Sequence, residues 1–97
     1  MGGKDMDSEL YPHHVGHHIG LEIHDCSTYR RGLRLRENQV ITIEPAVYIP
    51  HEQRWPKQFR GMGLRIEDSV LVGLKEPFIL SEIAVKERKD ISSLMCS

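Results

Sequence analysis

The sequence predicts a sheet-dominated α+β fold, and three observations carry that prediction. Two stretches, Val40 to Ile49 and Leu64 to Val72, are rich in β-branched residues and place apolar and polar side chains on opposite faces, as a half-buried strand requires. A loop punctuated by Pro50, Pro56 and Gly61 separates them. Residues 82–91, EIAVKERKDI, have the spacing of a short surface helix, with Ser81 placed as its N-cap.

Residues 1–10 are polar and contain glycine, and read as a disordered or frayed start, leaving 11–97 as the structured unit. Residues 13–24 interleave His and Gly with Val, Ile and Leu, which favours strand and turn over helix. Residues 25–38 are polar and basic, and read as a loop with a turn at Glu37-Asn38. Pro45 lies inside the first strand and has no N–H, so either that strand is an edge or its ladder breaks there. The second strand closes on Gly73, and Phe78 to Leu80 adds a short strand after Pro77. Strand parity puts Thr42 and Glu44 on one face and Ile41 and Ile43 on the other. Likewise Arg65, Glu67 and Ser69 share a face, opposite Leu64, Ile66, Val70 and Val72. Each strand therefore has an apolar face and a face that carries a carboxylate.

A chain of 97 residues is one small domain, able to bury only roughly 60–65% of the surface its unfolded form exposes. With 39% hydrophobic and 28% charged residues it is a soluble globular unit, not a disordered one. The net charge of -1 is evenly spread and asks for no nucleic-acid or membrane partner. No apolar run approaches the ~20 residues of a membrane span, and MGGKDMDSEL has neither the apolar core of a signal peptide nor the arginines of a transit peptide. Cys26 and Cys96 stand far apart, with no CxxC pair, and read as reduced intracellular thiols.

Five of the six histidines, His13, His14, His17, His18 and His24, fall within twelve positions. Imidazole and carboxylate together suit Mn, Fe, Co or Zn. One or more of these rings meeting Glu44 and Glu67 at a metal is one reading. A solvated strand face beside a histidine-rich surface loop is the other, and the residues alone leave both open. The four arginines between Tyr29 and Arg36 read as a solvated loop, and His14 and His18 as neighbours, not ligands. Asp25 either fixes the tautomer of His24 or makes a turn.

Three motifs in order resolve that choice by resemblance. The stretch His13-His14-Val15-Gly16-His17-His18-Ile19-Gly20-Leu21-Glu22-Ile23-His24-Asp25, then Thr42-Ile43-Glu44-Pro45, then Arg65-Ile66-Glu67-Asp68, resembles the pita-bread metallopeptidases. Those proteins carry H-x-x-x-H-x-x-G-x-x-x-H-D, a T-x-E-P strand and a strand ending R-I-E-D. The loop with Arg54-Trp55-Pro56 and Phe59-Arg60-Gly61-Met62-Gly63 is similar to the mitochondrial intermediate-cleaving and Xaa-Pro aminopeptidase branch of eukaryotes. The resemblance implies the C-terminal part of a pita-bread fold, mainly antiparallel sheet with a short C-terminal helix. It implies a metalloaminopeptidase that hydrolyses the first peptide bond of a peptide or protein N-terminus, with a mitochondrial location.

It also implies a two-metal centre, with manganese first and cobalt, iron or zinc as alternatives. His17, Glu44 and Glu67 resemble metal ligands, with Glu67 bridging. His13 and His24 resemble the histidines that hydrogen-bond the substrate and the tetrahedral intermediate. Arg65 resembles a residue that orients the carboxylates, and Glu44 would also relay the proton. Ala46 departs from the family, which has Gly after Glu-Pro; a methyl there strains the backbone if φ is positive. Two aspartate ligands lie upstream of the histidine motif in the family, and Asp5 and Asp7 do not look like them. The expectation is an incomplete catalytic domain, inactive alone, that is a fragment or a subunit needing another chain, with its missing N-terminal half or a homo-oligomer as the partners. Prolidase and a non-catalytic pita-bread binding module are the competing readings.

Overall fold

A computed structural model describes residues 9–96. The frayed start expected over residues 1–10 lies outside the described residues, except that residues 9 and 10 are helical and half-buried. The strands are β1 (Val40–Ile43), β2 (Ala46–Tyr48), β3 (Gly63–Arg65), β4 (Asp68–Leu71) and β5 (Phe78–Ile79), and a helix spans Arg88–Met95. They form a three-stranded sheet in the order β1-β4-β5 and a two-stranded sheet, β2-β3, with every pairing antiparallel.

The two long strands read from the sequence are each broken in two, and at matching places. Ile43 faces Asp68 before the break and Ala46 faces Arg65 after it, so one register runs through both sheets. That register sets Glu44 opposite Glu67 and Pro45 opposite Ile66. Proline supplies no N–H to the ladder, yet its carbonyl still accepts the Ile66 N–H at 3.1 Å. The break, not an edge position, is how the fold accommodates Pro45.

β1 is in fact interior, because the histidine-rich segment pairs along its other side. The carbonyls of Val15 and His17 accept the N–H groups of Glu44 and Thr42 at 2.6 and 2.8 Å, and the Ile19 N–H donates to Val40 at 3.2 Å. His18 forms a bridge with Ile41. This pairing needs a bare backbone at Gly16, where a Cβ would collide with the Thr42 carbonyl. Asn38, at φ 70°, makes the turn expected at Glu37-Asn38, and its N–H donates to Val72 at 2.8 Å.

The helix is displaced from its expected place. The sequence predicts a helix over residues 82–91 capped by Ser81, whereas the helix is Arg88–Met95, entered from an extended Glu87 with no side-chain cap. The cause is that the Ser81 hydroxyl is used elsewhere: it donates to Asp68 Oδ1 at 2.6 Å and accepts the Ser69 N–H at 2.9 Å. Residues 81–87 follow β5 as turns and bends.

The core is small. Among the described residues, Ile41, Ala46 and Val70 are the buried hydrophobic ones, with Thr42 and Glu44 buried beside them. The radius of gyration of 16.8 Å exceeds the about 12.5 Å of a compact domain this long. On the face away from Glu44, a groove of about 500 Å³ is lined by Ile41, Ile43, Pro45, Ile66, Val70 and Val72 among others. Parity thus sorted these side chains, with Leu64 the exception in the other sheet, and the apolar face is left open, with Ile43 38% and Ile66 46% exposed.

Replacing Gly16 tests the pairing that carries the histidines. Gly16→Ala is expected to lower the unfolding free energy by about 1–3 kcal/mol through overpacking, read from urea midpoints. A variant as stable as wild type would mean that the segment does not lie against β1.

Candidate metal centre

Parity and register bring the chemistry to one face. His17 lies opposite Thr42 across the pairing of the histidine segment with β1, so its ring shares the face of Thr42 and Glu44. His18, one residue on, pairs with Ile41 and belongs to the other side, where its ring packs edge-on to Tyr29. This separates His17 from its neighbour as the ring that reaches Glu44.

The contact itself is informative. His17 Nδ1 lies 2.9 Å from the His18 carbonyl, which only accepts, so Nδ1 carries the proton. Its other nitrogen, Nε2, lies 3.2 Å from Glu44 Oε2. Oε2 already accepts the Thr42 hydroxyl at 2.7 Å. Two acceptors at that distance attract only through a proton or a cation. Ligand atoms about 2.1 Å from one metal lie roughly 3.0–3.4 Å apart at angles between square and tetrahedral, and the observed spacing falls in that range. The donor set therefore fits a divalent cation.

Burial pushes the Glu44 carboxyl up. The Thr42 hydroxyl, and the attraction of His17, Arg65 and His13 where those groups carry charge, outweigh burial, and the net effect holds it below its ordinary value of 4.5. Thr42 also accepts the His17 N–H at 3.1 Å, so one hydroxyl fixes both the carboxylate and the segment bearing the ring.

Tyr48, not singled out from the sequence, joins the site. Its hydroxyl accepts from Arg65 Nε at 3.2 Å and Nη2 at 2.8 Å, and lies 3.0 Å from His13 Nε2. His13 Nδ1 donates to the His14 carbonyl at 2.8 Å, which leaves Nε2 to accept the tyrosine proton. The signal was available: Tyr48 has the parity of Thr42, Glu44 and Ala46 along one strand. Arg65 Nη1 also approaches Glu44 Oε1 at 4.0 Å, an ion pair loosened by the exposure of the guanidinium.

His24 is exposed and stands edge-on to His17, with ring centroids 4.6 Å apart. Glu67 is opposite Glu44 but exposed. Among the described residues no three His, Cys, Asp or Glu side chains converge into an ion-sized cluster. The structure thus brings His17 and Glu44 together, links His13 to Arg65 through Tyr48, and leaves Glu67 and His24 at the rim. Asp25 makes a turn, its Oδ1 accepting the Cys26 N–H at 2.9 Å. Ala46 lies in β2 and is not among the non-glycine positive-φ residues, Cys26 and Asn38, so its methyl brings no such strain.

This fold defines a class, the pita-bread metallopeptidases. Residues 4–73 match Metallopeptidase family M24, and the chain belongs to that family. It is similar to intermediate cleaving peptidase 55 of Schizosaccharomyces pombe, at 53% identity over 91 residues, covering 94% of this chain and 19% of that protein. It is similar to Xaa-Pro aminopeptidase 3 of Mus musculus, at 48% identity over 87 residues, covering 89% of this chain and 17% of that one. The crystal structure of Icp55 from Saccharomyces cerevisiae bound to apstatin inhibitor superposes with a TM-score of 0.83 at 43% identity, over 93% of this chain and 22% of that one. The chain thus spans about a fifth of the length of these relatives. Membership in a metallopeptidase family implies divalent metal ions.

Acid tests the electrostatics. Asp68, like Glu44, is held below its ordinary value of 3.8, first by Lys86 and then by the Ser81 hydroxyl. A carboxyl depressed in the folded state contributes stability above its unfolded value and loses it as pH falls through the folded one. Urea midpoints are expected to hold, as far as these two groups act, above pH 4.5 and to fall below it, with a shallower fall in Glu44→Gln. An acid slope unchanged by Glu44→Gln would contradict this assignment.

Proposed function

We propose that this chain carries the histidine and glutamate part of a metalloaminopeptidase centre of the Xaa-Pro aminopeptidase type, which hydrolyses the first peptide bond of a peptide or protein. The observation that carries the reading is His17 Nε2 set 3.2 Å from the buried carboxylate of Glu44. His17, Glu44 and Glu67 would hold metal, with Glu67 as the bridge of a two-metal site. Mixed nitrogen and oxygen donors suit manganese, with cobalt, iron or zinc also compatible. When bound, the ions polarise the scissile carbonyl and acidify a water.

The chain's own groups have separable tasks. Glu44 Oε2 faces His17 and the Thr42 hydroxyl, which leaves Oε1 to take a proton from water and return it to the leaving amine. Arg65 and Tyr48 steady that carboxylate from the other side. Both nitrogens of His13 are engaged, so it reaches a substrate only by releasing Tyr48. His24, exposed at the rim beside His17, would hydrogen-bond a substrate carbonyl without any such release.

Residues 11–97 act in this reading as the C-terminal part of a catalytic domain. No position here resembles the two aspartates of the family's ligand set, so the 97 residues alone lack activity. The remainder of such a domain would complete the centre and cover the open apolar face, whereas a second copy of this chain, lacking the same aspartates, could cover only the face. A mitochondrial location is supported by similarity to the intermediate cleaving peptidases, one of which, in Arabidopsis thaliana, is named as mitochondrial.

Calorimetric titration with Mn²⁺ and Co²⁺, paired with an assay for release of the first residue from Xaa-Pro peptides, tests this. Weak binding, lowered further by Glu67→Ala, and no turnover by the chain alone are expected. Tight two-site binding, binding indifferent to Glu67→Ala, or turnover abolished by His17→Ala would each contradict the proposal.

A further inference from the structure

The aspartate that follows Glu67 has no place in the chemistry above, yet it is the most heavily engaged carboxylate outside the site. Asp68 Oδ1 accepts the Ser81 hydroxyl at 2.6 Å and pairs with Lys86 Nζ at 2.8 Å. The Ser81 oxygen in turn accepts the Ser69 N–H at 2.9 Å, and the Ser69 carbonyl accepts the Leu80 N–H at 2.8 Å. Residues 80–86 are thereby clamped onto the first two residues of β4.

The position of this clamp matters because Glu67 sits in the break between β3 and β4, outside either ladder. Pairing resumes only at Asp68, opposite Ile43. On the near side of Glu67 the Ile66 N–H holds to the Pro45 carbonyl at 3.1 Å, and on the far side the ladder takes hold at Asp68, so the placing of Glu67 depends on how firmly Asp68 is held. Asp68 points away from Glu67, to the face of the open groove, and Ser81 and Lys86 grip it there. The grip holds the peptide unit on which Glu67 stands.

We propose that Asp68 is a positioning residue for Glu67: through Ser81 and Lys86 it fixes the backbone at the sheet break and so holds the Glu67 carboxylate opposite Glu44. This rests on the reading of Glu67 as a metal ligand. It also explains why the Ser81 hydroxyl is drawn away from capping the helix.

Cobalt absorption titrations of wild type, Asp68→Ala, Asp68→Asn and Ser81→Ala, each with a thermal melt, test it. Asp68→Ala is expected to weaken Co²⁺ binding by about tenfold at temperatures where its melt shows it folded, the scale of losing a group that orients a ligand. Asp68→Asn, which keeps an acceptor for Ser81 without the charge for Lys86, should fall between it and wild type, and Ser81→Ala should lose affinity in the same direction. A purely structural Asp68 would lower the melting temperature while the folded variant bound cobalt as wild type does, and that result overturns the inference. If Asp68→Ala does not fold, Ser81→Ala decides, and wild-type affinity there overturns it. No cobalt binding by wild type would instead overturn the metal-site reading, and this inference with it.

Discussion

The structure depends on one interruption. A proline in the middle of a two-stranded ladder removes a donor, and the strands answer by opening for two residues on each side without losing register. The opening falls where Glu44 faces Glu67. Had the ladder run unbroken, both carboxylates would stand in a regular row of side chains. The break leaves them at the seam of two sheets, where side chains from both meet. Thr42, Glu44 and His17 come from one side of the seam, Tyr48 and Arg65 from the other.

The seam also explains how a buried carboxylate is tolerated in so small a core. Burial of Glu44 penalises its charge, and a lone carboxylate there would be neutral or unfolding. It is instead supplied with a hydroxyl from Thr42 and three nearby groups able to carry positive charge. The Thr42 hydroxyl, which accepts from the His17 backbone and donates to Glu44, makes the geometry of ring and carboxylate a single unit.

Much of this was legible in the residues. Period-two alternation gave most of the apolar face, and Ile41, Ile43, Ile66, Val70 and Val72 line the groove, but Leu64, assigned to the same face, lies in the other sheet and is 65% exposed outside it. Pro45 announced a break or an edge, but only pairing partners distinguish the two, and those are long-range. The helix failed for the same reason: Ser81 has the local chemistry of an N-cap, and a contact with Asp68, thirteen residues earlier, outbid it. Tyr48 was missed because a tyrosine on a strand reads as packing until its neighbours across the ladder are known. His17 and His18 look alike in sequence; the pairing with β1 is what sends one ring to Glu44 and the other away.

Family membership in the M24 metallopeptidases and the geometry at the seam meet in one claim: that His17, Glu44 and Glu67 are donors to a common ion. Anomalous scattering from crystals of the chain soaked in Mn²⁺ tests it directly. The expected result is a manganese peak within bonding distance of His17 Nε2 and Glu44 Oε2, with the Glu67 carboxylate turned toward it. A peak at other side chains, or none at millimolar manganese with His17 and Glu44 left in direct contact, would contradict the account.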